Sequence, residues 1–376
     1  MHLASLAAAV SLAAVVATAV QAADPAGFKT LAIGDAAPDF KLPGVGDKEY
    51  TLADFAKARL LAIVFTCNHC PTAQAFEDRI IQLQADYKDK DVTFVAISPN
   101  DPLAVRLDEL GYTEFSDSFD EMKQRAKDRN FTFPYLYDGE TQKTSLAYGV
   151  LATPQVYLFD QDRKLRYVGR IDDSDVKTVT SHDARNAIDA LLAGKPVPVA
   201  QTRVFGCSTK WSDKRADAVK WLEKADAEPV ELKTIDEIAL ERLVRNDTDK
   251  LLVVNVWASW CGPCVAELPD FVTMNRMYRK RNFQMVTISM DEPEQKDAAL
   301  KVLRENHASA TNYISAVTNR DKLADILDKE WQGPVPHTVL IAPGGKIVYR
   351  KSGAIEPVDV RKQIVDFIGR TYANKP

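Results

Sequence analysis

Apolar residues fall along this chain in short runs bounded by turn-forming residues, and the runs recur in the same order in its two halves. In the first half Leu60–Thr66 (LLAIVFT) precedes a stretch of helical length, Val92–Ser98 (VTFVAIS) follows it, and Pro154–Phe159 (PQVYLF) comes before Leu165–Ile171. In the second half Leu251–Trp257 (LLVVNVW), Gln284–Met290 (QMVTISM), Pro336–Ile341 (PHTVLI) and Lys346–Arg350 repeat the series. Near-continuous apolar runs of this length predict strands of a sheet covered on both faces. The helical stretch between the first two strands of each half predicts a β-α-β unit with a parallel pair. Gln161-Asp162-Arg163 and Pro343-Gly344-Gly345 are short enough to join the last two strands as hairpins. Each half is therefore expected to be an α/β domain with a mixed sheet flanked by helices.

The pattern lapses between the halves. A helix near Val176–Leu192 closes the first, and Gly194-Lys195-Pro196-Val197-Pro198 ends it. The expected organisation is a leader over 1–22, a first domain over 24–200, a connector over 201–230 and a second domain over 231–376. The connector carries Cys207, Trp211 and the charged, helix-like SDKRADAVKWLEKA, and with no low-complexity run it is expected to pack on one domain. A length of 376 residues agrees with two domains.

Composition changes little: 46% hydrophobic and 27% charged residues describe an ordinary globular chain. A net charge of −5 without a basic run leaves no electrostatic footprint for nucleic acid or an anionic membrane. The first residues change more. MHLASLAAAVSLAAVVATAVQA is an uncharged aliphatic run ending in Val20-Gln21-Ala22, which reads as a secretory signal peptide cut after about Ala22, although the usual basic residue before the apolar stretch is missing. The alternative is an uncleaved anchor, since Leu3 to Val20 is just long enough to span a bilayer. The mature chain is expected in the periplasm or outside the cell, without stable membrane insertion once the leader is cleaved.

Export gives the cysteines their meaning, because it places them where disulfides persist. They fall as two close pairs and one single: Cys67 and Cys70, Cys261 and Cys264, and Cys207. A chain with ample core and few cysteines does not need disulfides as staples, so the pairs read as reactive. Disulfide exchange needs one thiolate to attack a substrate sulfur and a second thiol near enough to resolve the mixed disulfide. In Trp260-Cys261-Gly262-Pro263-Cys264, placed between a strand and a helix, Cys261 meets the free N–H groups and the positive end of the helix, while Cys264 lies about one turn further in. Cys261 is the expected nucleophile and Cys264 the resolving thiol.

The segment VVNVWASWCGPCVAELP, with Val335-Pro336 before a late strand, resembles the TlpA/ResA-like branch of the thioredoxin superfamily over about Glu231 to Ala373. The resemblance implies a cis Pro336 opposite the cysteines, offering backbone groups to a substrate strand. It also implies a proton-handling role for Glu267 beside Cys264, the plain alternative being a surface residue of the first helical turns. Asn255 stands where thioredoxin has a buried aspartate, and Pro269 where it has a helix-kinking proline.

Thr66-Cys67-Asn68-His69-Cys70-Pro71-Thr72 also follows a strand, with Thr153-Pro154 as its cis-proline candidate. IGDAAPDFKL and the later Leu52-Ala53-Asp54-Phe55 resemble the start of the redoxin family that includes AhpC/TSA peroxiredoxins, over about Phe28 to Leu192. The resemblance implies two tandem thioredoxin-like domains, with Cys67 as nucleophile and Cys70 as its partner in geometry equivalent to the second site. His69 between the cysteines is expected to lower the pKa of Cys67 and make the pair more oxidising. Two alternatives attach to this half. One is a thiol peroxidase, suggested by Cys70-Pro71-Thr72 but opposed by Ile63 and Cys67 where proline and threonine would stand. The other is copper held by Cys67, Cys70 and His69 in a metal carrier or adaptor for cytochrome or oxidase assembly.

Cys207 reads either as a third redox cysteine exchanging with Cys67–Cys70 or as a small buried residue beside Trp211. His182, His307 and His337 have no acid or cysteine motif near them in sequence, though His337 follows Pro336 at the second site. There is no glycine-rich nucleotide loop, so no organic cofactor and no resident metal are expected, only redox-active disulfides Cys67–Cys70 and Cys261–Cys264. The expected activity is exchange of disulfides with protein substrates, supplied by an upstream dithiol donor.

Overall fold

The structure, a computed structural model, describes residues 28–374. The leader read over 1–22 lies outside them. Among the described residues no helix is long and apolar enough to cross a membrane.

The strands form around the apolar runs. Leu60–Phe65 and Leu251–Trp257 are buried at every position, and each enclosed Val, Leu or Ile contributes about 1.5–3 kcal/mol. In the first half the sheet order is Tyr135–Tyr137, Val92–Ser98, Leu60–Phe65, Gln155–Phe159 and Leu165–Gly169. The first three strands run parallel and the last two antiparallel. In the second half the order is Lys233–Ile235, Thr311–Ser315, Phe283–Ser289, Leu251–Trp257, His337–Ile341 and Ile347–Ser352, again parallel up to the central strand and antiparallel after it. Apolar clusters lie on both faces of each sheet.

Each central strand feeds a helix. Pro71–Tyr87 starts with proline at its first position, where no N–H is needed. It buries Phe76, Ile80, Leu83 and Tyr87, a stripe at helical spacing. Gly262–Tyr278 follows the second central strand, buries Leu268, Phe271, Met274 and Tyr278, and holds Pro269 within it.

One helix is shorter than the sequence suggests. Instead of beginning near Val176 it spans Asp183–Leu192. Asp173 accepts the Thr180 amide, Ser174 Oγ the Lys177 amide and Asp175 the Val176 amide. These local side-chain bonds hold residues 173–181 as a loop in place of helical turns.

Two stretches tie the halves together. After Val92–Ser98 the chain crosses to the second half, where Leu110 joins the cluster of Phe271, Met274, Met277 and Tyr278. There Tyr278 Oη donates to Thr113 O at 2.8 Å and Arg281 Nη1 to Gly111 O at 2.6 Å. The connector is stitched to the first half: Lys210 N donates to Asn100 Oδ1 at 2.8 Å, and Gln142 Nε2 to Lys210 O at 2.8 Å. Its helix, Arg215–Asp226, ends beside the second half, where Arg276 bonds Asp226 at 2.7 Å.

Candidate active sites

Both cysteine pairs lie where a central strand gives way to a helix, and both face a proline loop whose peptide is cis, Thr153-Pro154 and Val335-Pro336. Around this shared plan the two sites differ.

The second site is open. Trp260 is 53% exposed, with Arg320 above its ring at 5.7 Å, and Gly262 and Pro263 are exposed. Cys261 caps the helix, its Sγ accepting the Cys264 amide at 3.3 Å, and the two cysteines are joined as a disulfide. Cys264 is fully enclosed, with Val335 of the proline loop packed on the same cluster. Glu267, three residues on and thus on the same helix face, is buried, which removes the surface alternative. Its carboxylate accepts from Asn255 Nδ2 and from the Ile355 amide, each at 3.1 Å. Burial raises its pKa, and these two bonds offset only part of the effect.

The first site is closed: Cys67, Asn68, His69, Cys70 and Thr72 are all buried, and its cysteines are thiols. Here the helix begins one residue after Cys70, so Cys70 and not Cys67 occupies the cap. This corrects the expectation of equivalent geometry. Pro71 has no N–H and favours the first helical position, which shifts the start of the helix past the second cysteine. Cys70 Sγ accepts the Ala73 amide at 3.4 Å and the Cys207 amide at 3.3 Å, and lies 3.3 Å from Thr153 O. Cys67 Sγ lies 3.1 Å from Thr153 Oγ1.

Asp117, which no sequence motif singled out, organises this loop. Its Oδ1 accepts the amides of Asn68 and His69 at 2.9 and 3.0 Å, and its Oδ2 meets His69 Nδ1 at 2.6 Å and Asn100 Nδ2 at 2.7 Å. Burial disfavours a charged imidazole, yet the Asp117 carboxylate and the Cys70 sulfur raise the His69 pKa. Burial also opposes a Cys70 thiolate, but hydrogen bonds from Cys207 and Cys67, the His69 charge and the Ala73 amide outweigh it and pull the Cys70 pKa well below its ordinary value. Cys67 moves the opposite way, pushed up first by burial, then by its bond to Cys70 and by Asp117. The sequence points to His69 acting on Cys67, whereas in the structure its charge favours the Cys70 thiolate.

Cys67, His69 and Asp117 each place one donor atom within 4.8 Å of the others, a grouping that could also suit a metal ion. Both Asp117 oxygens are already engaged by the loop, by His69 and by Asn100, which suits a hydrogen-bonded charge couple.

The other described histidines find partners that sequence distance concealed. His182 Nδ1 lies 2.9 Å from Asp172. His337 is buried, 3.3 Å from Asp328 and stacked on Trp331, with its Nδ1 bonded to Ser352. His307 Nδ1 is 3.1 Å from Asp226 O.

His69→Gln, in a chain with Cys261→Ser/Cys264→Ser, is expected to move the ultraviolet thiolate titration of Cys70 to higher pH. An unchanged profile would remove His69 from the electrostatics of the pair.

Residues 33–168 and 222–350, well over half of the chain, match the AhpC/TSA family. The chain belongs to the AhpC/TSA family. It is an AhpC/TSA protein of thioredoxin-like fold, with two matched segments that fall one on each sheet. Thiol-disulfide oxidoreductase ResA of Oceanobacillus iheyensis is 29% identical over 133 residues, 35% of this chain and 65% of that protein. The chain thus spans less than two thirds of that relative's length. An uncharacterized conserved protein from Geobacillus kaustophilus is 39% identical, covering 49% of this chain and 95% of that one, with a TM-score of 0.44. A putative thiol:disulfide interchange protein DsbE from Chlorobium tepidum is 21% identical over 44% of this chain and 98% of its own, with a TM-score of 0.33.

Proposed function

We propose that this AhpC/TSA protein is an exported thiol–disulfide oxidoreductase that exchanges disulfides with protein substrates and draws its electrons from an upstream dithiol protein. The observation that carries this reading is the duplicated arrangement of a cysteine pair at a strand-to-helix junction, with a cis-proline loop against it. At the second site the Cys261 thiolate attacks a substrate disulfide and releases one substrate thiolate. Cys264 then attacks the Cys261 sulfur of the mixed disulfide, releases the second thiolate and leaves Cys261–Cys264 oxidised. Exposed Trp260, Gly262 and Pro263 provide a landing surface, and Val335, the residue before cis-Pro336, packs on the cluster that holds both cysteines. Glu267 accepts the proton of Cys264. At the first site Cys70 is the stabilised thiolate and Cys67 its partner, with Thr153, the residue before cis-Pro154, against both sulfurs.

Reduction potentials test the reading, measured for each pair in the Cys67→Ser/Cys70→Ser and Cys261→Ser/Cys264→Ser chains against a glutathione or dithiothreitol buffer. Two two-electron couples are expected, the second near the reducing thioredoxin end at about −270 mV and the first higher. Failure of both pairs to cycle would overturn the proposal.

Glu267→Gln is expected to slow resolution of the mixed disulfide several-fold while leaving the first attack by Cys261 unchanged, as read by quenched-flow trapping. Because the folded pKa of Glu267 is raised, the stability it contributes is full below 4.5, its ordinary value, and is lost as pH rises through the folded value. Glutamine does not ionise, so the variant's Tm at neutral pH is expected to match or exceed that of the unchanged chain. Equal resolution rates would leave Glu267 with a purely structural role.

A further inference from the structure

Cys207 is held over the first site by the kind of backbone pairing an extended substrate makes. Cys207–Ser208 runs antiparallel to Ala152–Thr153, with Cys207 opposite Thr153 and Ser208 opposite Ala152. Ala152–Thr153 is the segment that leads into cis-Pro154. The Cys207 amide donates to Cys70 Sγ at 3.3 Å, and Cys207 packs against the buried group of Cys67, Cys70 and Ala73. Gly206 permits this approach: a Cβ there would stand 2.0 Å from Thr153 O. The strand is anchored on both sides, by Phe205 against Phe76 at 5.9 Å and by Thr209 Oγ1 donating to Val150 O at 3.1 Å. Among the described residues nothing comparable covers the second site, where Gly262 and Pro263 are exposed while the matching Asn68 and His69 are buried.

We infer that Cys207 is a built-in substrate of the first site, a third redox cysteine that exchanges disulfides with Cys70. In the step, the Cys207 thiolate attacks Cys70 Sγ of the oxidised Cys67–Cys70 pair. The Cys70–Cys207 bond forms as the Cys67–Cys70 bond breaks, and the electron pair leaves on Cys67, which takes up the proton Cys207 gave up. One disulfide and one thiol are present before and after, so no further oxidant is required. The inference rests on the reading of Cys67–Cys70 as a redox pair. It adds a consequence for access: Cys67 and Cys70 are buried and Cys207 is partly exposed, so outside thiols reach the first site through Cys207.

The test uses full-length protein with Cys261→Ser/Cys264→Ser, oxidised with diamide, acid-quenched, alkylated and mapped by mass spectrometry. Both Cys67–Cys70 and Cys70–Cys207 linked peptides are expected. Adding Cys67→Ser is expected to give a Cys70–Cys207 disulfide within the monomer. Adding Gly206→Val as well, which forces the strand off Thr153, is expected to cut that yield at least about tenfold through lost proximity. Cys70 and Cys207 remaining separately alkylatable in the Cys67→Ser chain, or linking only between molecules, would overturn the inference. A Cys207→Ser chain separates the two ideas. If its Cys67–Cys70 pair still titrates against glutathione while no Cys70–Cys207 bond forms in the Cys67→Ser chain, only the relay falls. If that pair does not cycle, the redox reading of the first site falls with it.

Discussion

Cys264→Ser, placed in a chain whose first pair is already Cys67→Ser/Cys70→Ser, is expected to cut turnover of a protein disulfide at least about 100-fold and to leave the protein trapped on its substrate. Cys261 keeps the helix cap that favours its thiolate and still attacks, since serine at 264 retains the backbone amide that bonds Cys261 Sγ. Serine cannot displace the substrate sulfur, so the mixed disulfide accumulates. Non-reducing electrophoresis after acid quenching reads this directly. Cys261→Ser is expected to lose turnover without accumulating any adduct, because Cys264 is enclosed and cannot reach an outside disulfide. An adduct formed through Cys264 would reverse the assignment of the two roles.

Asp117→Ala is expected to be the most damaging single change in the first half. It leaves the Asn68 and His69 amides and the His69 ring without their common acceptor in a buried loop. Breaking a buried charge pair by removing one member costs about 3–5 kcal/mol, which lowers the melting temperature of a domain this size by on the order of 10 °C. The pH dependence identifies the cause. Asp117 has a depressed pKa, so its contribution is present above 3.8, its ordinary value, and is lost as pH falls through the folded value. His69 has a raised pKa, so its contribution is present below 6.5, its ordinary value, and is lost as pH rises through the folded value. The couple is therefore at full strength between about 3.8 and 6.5, and the gap in Tm between the unchanged and variant chains is expected to be widest there. A gap independent of pH would assign the loss to the two amides alone. The same substitution is expected to raise the Cys70 pKa, because a buried His69 without its carboxylate no longer holds a proton.

The two Asp117 predictions follow from one segment that serves both halves. Residues 107–117 set Leu110 in the second core and end at the carboxylate that shapes the first site. Loss of Asp117 is therefore expected to loosen the contact between halves as well as the Cys67–Cys70 loop.

Much of this organisation is local information and can be read along the chain. Near-continuous apolar runs bounded by turn residues mark the central strands, because a strand covered on both faces is apolar at most positions and any polar side chain in it, such as Asn255, must find a bonding partner. The duplicated order of those runs marks two sheets. Two residues between cysteines, after a strand and before a helix, mark both pairs, since that spacing keeps a second thiol near enough to resolve a mixed disulfide. Local reading failed where short-range chemistry was finely balanced. Pro71 moved the first helix start past Cys70, and the Asp and Ser side chains of 173–181 held as loop a stretch that had looked helical.

What the sequence by itself determined, then, is the pair of mixed sheets and the placing of each cysteine pair at a strand-to-helix junction. The tertiary structure decided which groups meet those cysteines. Asp117 lies 48 residues from His69, and Cys207 lies 137 from Cys70. Asp117 is one acid among many, and Cys207 had two readings of equal standing. No periodicity or spacing encodes such meetings, because they depend on where the chain returns after crossing the second half and after leaving the first sheet. The burial of Glu267 has the same origin: the Ile355 amide and Asn255 that enclose it come from other elements, and only their packing makes a helix-surface glutamate an interior one.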